Sequence, residues 1–355
     1  MDQRWHQLAK VLVNHSCKVQ PGDRVMIAMV ELSSAPLAHA LHRQVVLAGG
    51  FPQIQYLSES LRNDVMKFGN SEQTGWVPEL ESYGMEWADV YFALRGASNL
   101  NQHWDIDPDI LSRNQRAQGV ISTQRWQKTR WCLVRVPNAH LAHQAEKDEE
   151  TMLNQFFDAC LIDWEQCQKE WQVLAEKLSV VTEYRIVSAN TDLSFSTSGR
   201  QWVPFSGSCN MPDGEIATAP VTETLNGYIQ FENPGVLGGQ LIHDIYLEWD
   251  NGQLVKANSS SNQAFFQKII NTDEGSSLIG EFAFGLNSAQ TFFCNDILLD
   301  EKIGGTLHIA LDRAYTECGG TNQSAIHWDI IKDTRQEGSV YGDGRKIFDK
   351  GQFLF

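Results

Sequence analysis

The chain is organised around residues 303–331, IGGTLHIALDRAYTECGGTNQSAIHWDII, which contain two strand-like runs joined by a turn with two adjacent glycines. His327 and Asp329 lie two residues apart in the second run, and residues i and i+2 of a strand project from the same face. His308 lies in the first run. Residues 317–322 have the composition of a short loop, so the two runs are predicted to lie side by side and to gather these three side chains.

Imidazole and carboxylate groups held together on a rigid element are ligands that suit Zn, Co, Mn and Fe. The commoner interpretation of such a pair is a buried histidine that is hydrogen-bonded to an aspartate. Residues 303–331 alone therefore leave two interpretations open, a metal site and a satisfied polar pair in a core.

The composition is typical of a globular protein, and the length of the chain predicts two or three domains. The 355 residues are 42% hydrophobic and carry a net charge of −16, with a pI of about 5.0. This charge argues against nucleic acid and anionic membranes as partners. No run reaches the roughly 18 apolar residues of a membrane span, and the N-terminus lacks the apolar core of a signal peptide. Seven cysteines without a Cys-x-x-Cys pair predict free thiols and a cytoplasmic protein.

The first half of the chain shows the pattern of a parallel sheet. Apolar runs at residues 24–30 and 51–57 predict strands, and residues 35–48 between them predict a helix. Strand, helix and strand at this spacing form a βαβ unit, and residues 88–94 and 131–136 predict two more strands of the same sheet. No Gly-x-Gly-x-x-Gly motif and no Walker loop follows these strands, so a nucleotide site has no support.

The composition changes after residue 179, where short alternating strands and turns replace a long helical region. We therefore predict two domains, an α/β domain over residues 1–180 and a β-rich metal-binding domain over residues 181–355. The predicted fold class is α/β plus α+β.

Two further carboxylates lie in short motifs of the second half. Glu281 lies inside the apolar run of residues 278–287, where a buried carboxylate is costly unless it is protonated, paired or coordinated. Glu215 directly follows a Pro-Asp-Gly turn, which presents it at the rim of the turn. With the two imidazoles and the aspartate of residues 303–331, this set exceeds one closed zinc site and suffices for two metals about 3.5–4 Å apart.

These motifs resemble those of the metallo-aminopeptidases of the aminopeptidase T and aminopeptidase S type, over nearly the whole chain. The matching stretches of the first half are QPGDRVMI, the helix start Ala35-Pro36-Leu37, LAGGFPQIQY and DPDILSRNQRAQ. Those of the second half are residues 192–200, NMPDGEIATAP, IGEFAFGLN, HIALDRAY, SAIHWDII and DGRKIFDKGQF. The last five are specific, and their order and spacing match those of the family.

The resemblance implies two divalent metal ions, drawn from Zn, Co, Mn or Mg, in a β-rich C-terminal domain. By motif, the implied ligands are Glu215, Glu281, His308, Tyr315, His327 and Asp329. It also implies a homodimer and a peptide substrate with a free N-terminus. Two departures from the family lie near these ligands: a short segment between Tyr315 and His327, and Asp312 at a position where a small residue is expected.

The implied function is hydrolysis of the N-terminal peptide bond by a water that two metals activate, with Glu215 or Asp329 bridging them. Tyr315 would complete a coordination shell or donate a hydrogen bond to the oxyanion. Glu281 or Glu215 would hold the α-ammonium group of the peptide or carry the proton to the leaving amine.

Two other functions fit the same layout. Ring-cleaving dioxygenases of dihydroxypyridine are similar in layout but bind one Fe(II) through two histidines and one carboxylate. Those relatives replace the glutamate of IGEFAFGLN by histidine and lack the equivalents of Glu215 and His308, so this chain favours the two-metal hydrolase. A hydrolase specialised for one peptide or amide also fits, because the segment after Tyr315 is short.

Overall fold

The computed structural model describes residues 2–96, 102–103 and 105–355, with every side chain in these ranges except those of Trp126 and Asp312. The α-helices are α1 (Arg4–Val11), α2 (Ala35–Leu47), α3 (Glu59–Phe68), α4 (Ser71–Thr74), α5 (Glu79–Trp87), α6 (Pro108–Lys128), α7 (Ala139–Gln144), α8 (Glu149–Cys160), α9 (Trp164–Ser179), α10 (Gln263–Ile270) and α11 (Ile297–Asp300). The strands are β1 (Arg24–Val30), β2 (Phe51–Leu57), β3 (Val90–Gly96), β4 (Arg130–Val136), β5 (Glu183–Ser188), β6 (Thr191–Ser196), β7 (Val203–Phe205), β8 (Asn210–Met211), β9 (Glu215–Thr218), β10 (Asn226–Gln230), β11 (Gly235–Leu237), β12 (Gln240–Ile242), β13 (Tyr246–Asp250), β14 (Gln253–Asn258), β15 (Ile279–Gly285), β16 (Thr306–Asp312), β17 (His327–Asp333), β18 (Ser339–Gly342), β19 (Arg345–Asp349) and β20 (Gln352–Phe353).

Two compact units divide the chain. The first comprises the chain up to Ile162 together with Gly207–Pro212, and the second comprises Asp163–Ser206 and Asp213–Phe355. The sequence places the boundary near residue 180, after the long helical region. The contacts instead assign α9 to the second unit, because its buried Ala175 and Leu178 belong to the apolar core of that unit.

The first unit is built on a parallel sheet with the strand order β2-β1-β3-β4-β8. Strands β1, β3 and β4 read as nearly continuous apolar runs, which is typical of parallel strands with helices on the sheet faces, whereas β2 at the edge of the sheet has no buried residue. Val25 and Ile27 of β1 are fully buried, and six of the seven residues of β3 are buried. Helix α2 connects β1 to β2, and α6 connects β3 to β4, so the predicted parallel-sheet α/β region is confirmed.

The second unit contains two large antiparallel sheets that share one apolar core, together with the two-stranded antiparallel sheet of β11 and β12. The larger sheet has the strand order β14-β13-β10-β6-β5-β18-β19-β20, and the smaller has the order β17-β16-β15-β9-β7. Aromatic rings fill the space between them: Phe195 of β6 lies 4.9 Å from Phe282 of β15, edge to face. The predicted β-rich second half is confirmed.

The smaller sheet turns its large apolar side chains toward that core. Phe282 and Phe284 of β15, Ile309 of β16 and Trp328 of β17 are fully buried there. Because side chains alternate along a strand, the residues between them project from the opposite face. That opposite face carries the candidate site.

Two further features of the structure concern its helices and its cysteines. None of the helices in the described ranges combines the length and the hydropathy that crossing a membrane requires. Among the described residues the seven cysteines form no disulfide bond, and five of them are buried.

Candidate metal centre

The predicted strand ligands lie on one face of the smaller sheet, on four neighbouring strands: Glu215 on β9, Glu281 on β15, His308 on β16, and His327 and Asp329 on β17. The registers of these strands put all five on the same face, because directly paired residues and residues two apart share a face. The sheet therefore gathers side chains that lie more than 110 positions apart in the sequence.

Small residues occupy the positions between the ligands on this face. Ala217, Ala283 and Ala310 leave the space above the sheet to the longer polar side chains. A Cβ atom on Gly285 would collide with the carbonyl oxygen of Ile303, so the segment that precedes β16 packs directly on the end of β15. This close approach requires glycine at position 285.

His308 lies at the centre of the ligands and is fully buried. Its Nε2 atom lies 3.4 Å from Glu215 Oε2, 3.5 Å from Glu281 Oε1 and 4.0 Å from Asp329 Oδ1. One ligand atom from each of Glu215, Glu301 and His308 lies within 4.8 Å of the others. These three residues form one candidate ligand set, which we call the His308 set.

Glu281, His327 and Asp329 form a second candidate ligand set by the same 4.8 Å criterion, which we call the His327 set. The Nε2 atom of His327 lies 3.3 Å from Asp329 Oδ2 and 4.0 Å from Glu281 Oε2. Asp329 and Glu281 each turn their two oxygens toward different imidazoles, one toward His308 and the other toward His327. The two sets are therefore adjacent and are connected by two carboxylates.

Three buried residues of the cluster, Asp213, Glu301 and Lys302, were not identified from the sequence. The Nζ atom of Lys302 lies 2.5 Å from Glu215 Oε1, 2.7 Å from Glu301 Oε1 and 3.8 Å from Asp213 Oδ1. Glu301 and Lys302 lie between α11 and β16, where no periodic pattern indicates the direction of a side chain. The available signal was an adjacent acidic and basic residue between an apolar run and the Gly304-Gly305 turn.

Several ligand atoms have no hydrogen-bond partner although they are buried: Glu215 Oε2, Glu281 Oε2, Asp329 Oδ1 and both ring nitrogens of His308. Buried polar atoms are normally hydrogen-bonded, and such a group requires an explanation. All of these atoms belong to the two ligand sets, and oxygen and imidazole nitrogen are donors that divalent cations accept. The residues present therefore fit a metal centre.

The net charge of the cluster also favours a metal centre. It contains five buried carboxylates and one buried ammonium group: Asp213, Glu215, Glu281, Glu301, Asp329 and Lys302. With neutral imidazoles and ionised carboxylates these groups carry a net charge of −4, and burying uncompensated charge is very unfavourable. Two divalent cations would neutralise it.

Burial and mutual repulsion shift the pKa values of the cluster in the ion-free protein. Burial raises the pKa of the Glu281 carboxyl, and it raises that of Glu301 well above its usual range. Burial alone would lower the pKa of the His327 imidazole, but the charges of Asp329 and Glu281 outweigh this effect and raise it to about 9. The imidazolium form of His327 thus stands in for a cation.

Metal affinity is expected to rise with pH because of His327. An imidazolium cannot be a ligand, so an ion that binds must displace a proton from a group with a pKa of about 9. The apparent affinity should increase about tenfold per pH unit between about pH 6 and pH 8, and level off above about pH 9. Calorimetric titration of the ion-free protein with Mn²⁺, in buffers of different ionisation enthalpy, measures both affinity and proton release. An affinity independent of pH over this range would contradict the assignment of His327 as a ligand.

Tyr315 and His327 lie at the accessible side of the cluster. The side chain of His327 is 33% exposed, whereas the carboxylates and His308 are at most 7% exposed. The hydroxyl of Tyr315 lies 3.5 Å from His327 Nε2, and its ring packs on Phe205 at 5.7 Å. A substrate would therefore reach the cluster past these two side chains.

Comparison with known proteins agrees with this centre. The profile of the thermophilic metalloprotease family, M29, matches residues 1–353. Aminopeptidase AmpS from Bacillus subtilis is 26% identical over 338 residues, which cover 78% of this chain and 80% of AmpS. Aminopeptidase 2 from Geobacillus stearothermophilus is 22% identical over 418 aligned positions, which cover 99% of both chains.

Two solved structures share the fold. AmpT from Thermus thermophilus superposes with a TM-score of 0.84 at 20% identity and covers 99% of both chains. A 2,5-dihydroxypyridine dioxygenase from Pseudomonas putida KT2440 superposes with a TM-score of 0.59 at 12% identity, over 99% of this chain and 96% of that one. Two chemistries thus occur on one architecture, and the family match decides between them. The chain belongs to the thermophilic metalloprotease family M29 and is a metal-dependent hydrolase of peptide bonds.

Proposed function

We propose that the protein is an aminopeptidase that binds two divalent metal ions and removes the N-terminal residue of a peptide. The observation that carries this proposal is the presence of two adjacent three-residue ligand sets on one buried sheet face. One mononuclear site would leave the other set, and several of its unpartnered buried atoms, without a cation.

The two sets suggest which residues would hold each ion. Glu215, Glu301 and His308 would hold one ion, and Glu281, His327 and Asp329 would hold the other. Asp329 is the better candidate for the bridging carboxylate, because its oxygens face both imidazoles. Glu215 is less suited, because Lys302 already binds one of its oxygens.

Divalent ions at such a centre lower the pKa of a bound water and polarise the carbonyl of the substrate. The residues of the chain supply the remaining functions. Glu281 or Glu215 would accept a hydrogen bond from the α-ammonium group of the peptide, which favours cleavage at the N-terminus over cleavage within a chain. Glu281 is the candidate for carrying a proton to the leaving amine, because its Oε2 atom has no hydrogen-bond partner and burial raises its pKa.

Tyr315 would act on the accessible side of the centre. Its hydroxyl lies 3.5 Å from His327 Nε2, which puts it within reach of an oxyanion that develops at the cluster. Packing on Phe205 limits the movement of its ring. Tyr315 is therefore proposed as a hydrogen-bond donor to that oxyanion, with a role as an additional metal ligand as the alternative.

Metal content per chain and hydrolysis of leucyl-anilide, measured on the same purified sample, test the proposal. Two divalent ions per chain, with turnover that follows occupancy, are expected. In the Tyr315→Phe variant, kcat should fall more than metal affinity does; the reverse pattern would make Tyr315 mainly a ligand. A single iron without hydrolysis would contradict the proposal and favour the ring-cleaving dioxygenase.

Substrate range and assembly remain predictions. A panel of aminoacyl anilides distinguishes a general aminopeptidase from an enzyme specialised for one peptide or amide, which would turn over no member with its ions bound. We also expect a homodimer and a cytoplasmic location, for which the sequence resemblance and the free thiols are the support.

A further inference from the structure

Lys302 is buried in an unusual environment. Its side chain is 1% exposed, and all three neighbouring carboxylates are nearly inaccessible, with side-chain exposures of 0% for Asp213, 5% for Glu215 and 7% for Glu301. A buried ion pair is weak support for fold stability, because desolvation of both partners offsets their attraction. The position of this ammonium group therefore calls for a role other than stabilising the core.

A second buried lysine provides a contrast. Lys332 of β17 is also inaccessible, but its Nζ atom binds the carbonyl oxygen of Gln230 and the carboxylate of Glu232, which is 54% exposed. Lys332 thus connects the interior to a solvated acid at the surface. The described salt-bridge partners of Lys302 are all buried acids of the cluster.

The two carboxylate oxygens of Glu215 face different groups, Lys302 on one side and His308 on the other. The Oε1 atom lies 2.5 Å from Lys302 Nζ, whereas the Oε2 atom has no hydrogen-bond partner and lies 3.4 Å from His308 Nε2. Glu301 likewise uses its Oε1 atom for Lys302, at 2.7 Å. Glu215 therefore keeps its Oε2 atom for an ion of the His308 set, in which Glu301 also offers one oxygen.

Backbone hydrogen bonds hold Lys302 next to Asn287, which lies just after β15. Its carbonyl oxygen accepts a hydrogen bond of 2.9 Å from the Asn287 amide, and the amide of Gly304 donates to the Asn287 carbonyl oxygen, also at 2.9 Å. Asn287 in turn donates from its side chain to the carbonyl oxygen of Asp213, at 2.8 Å. The lysine is thus anchored to the segments that carry Glu281 and Glu215.

We propose that Lys302 is a positioning residue of the metal centre, which orients Glu215 and Glu301 so that each offers a single oxygen to the ion of the His308 set. This inference rests on the proposed two-metal function. It makes the two halves of the centre unequal, because among the described residues an ammonium group holds carboxylates of the His308 set and none of the His327 set.

Calorimetric titration of the ion-free protein with Mn²⁺ tests this role without reference to activity. The Lys302→Met variant keeps the length of the side chain but removes its donors. It should weaken one binding step at least about tenfold, the step that the His308→Ala variant also loses, and leave the other within about threefold. The Lys302→Gln variant, which keeps amide donors, should recover part of the affinity. The Lys332→Met variant is the matched control for loss of a buried ammonium group and should titrate like the wild type.

The outcomes separate positioning from simple charge compensation. If the ammonium group only repelled cations, Lys302→Met would bind Mn²⁺ as tightly as the wild type or more tightly, and that result would overturn the proposal. Failure of Lys302→Gln to bind better than Lys302→Met would overturn it as well. If the wild type binds Mn²⁺ in two steps and the Lys302→Met variant titrates in the same way, the proposed role of Lys302 is wrong and the two-metal function is unaffected. If the wild type binds no ion, the two-metal function is wrong as well.

Discussion

Replacement of Glu281 by alanine is expected to lower kcat/KM for leucyl-anilide by at least about 10³-fold and to remove metal from the protein at the same time. Glu281 faces both imidazoles, with Oε1 at 3.5 Å from His308 Nε2 and Oε2 at 4.0 Å from His327 Nε2. Its loss therefore removes a carboxylate that lies between the two ligand sets. His308→Ala should lower kcat/KM to a comparable extent through loss of the ion of the His308 set, because His308 lies within 4.0 Å of three carboxylates.

The stability of the variant distinguishes this role from a structural one. In the ion-free protein Glu281 adds a buried carboxylate to a cluster that is already acidic, so ion-free Glu281→Ala should be no less stable than the ion-free wild type. Metal analysis, anilide hydrolysis and urea unfolding on the same preparations measure the three properties. Glu248→Ala is the control, because Glu248 is a strand carboxylate of β13 that accepts a hydrogen bond from Tyr246. Retained hydrolysis in Glu281→Ala would contradict the assignment of the site.

Removal of the ions with a chelator is expected to inactivate the protein reversibly and to lower its free energy of unfolding. Without ions the buried carboxylates of the cluster repel one another, and only Lys302 and bound protons compensate their charge. An ion that binds only the folded state adds about 4 kcal/mol of stability when present at about 1,000 times its Kd. Two ions should therefore raise the temperature of unfolding markedly, and Co, Zn or Mn should restore turnover.

Thermal unfolding monitored by circular dichroism, with chelator and then with added ions, measures this effect. The Glu281→Ala variant is the control, since its unfolding temperature should respond much less to the same ions. An unfolding temperature of the wild type that does not change when metal is removed would be incompatible with two ions in this cluster. Loss of stability without recovery of activity on addition of ions would indicate damage by the chelator treatment.

The sequence determined the elements of the fold where its patterns are local. The apolar run of β1 predicted that strand with its observed bounds, because an inner parallel strand is apolar on both faces. Strand β2, at the edge of the sheet, was also predicted with its observed bounds, although none of its residues is buried. Helix α6 shows the limit of such patterns. Gly119 has a low helix propensity and would favour an end of the helix there, but α6 continues to Lys128, since burial of Ile121 and Arg125 outweighs the effect of one glycine.

The sequence also indicated which residue types meet at the site. Alternation along β15, β16 and β17 separates acids and imidazoles from large apolar side chains, and that period of two is readable in the motifs themselves. Only the tertiary structure decided how these residues combine. The registers of four strands put His308 between Glu215, Glu281 and Asp329, and a loop without periodicity brings Glu301 and Lys302 to them. Strand alternation is a local property of the backbone, whereas register and loop position depend on packing between distant segments, and for that reason the lysine among the ligands emerged only from the folded chain.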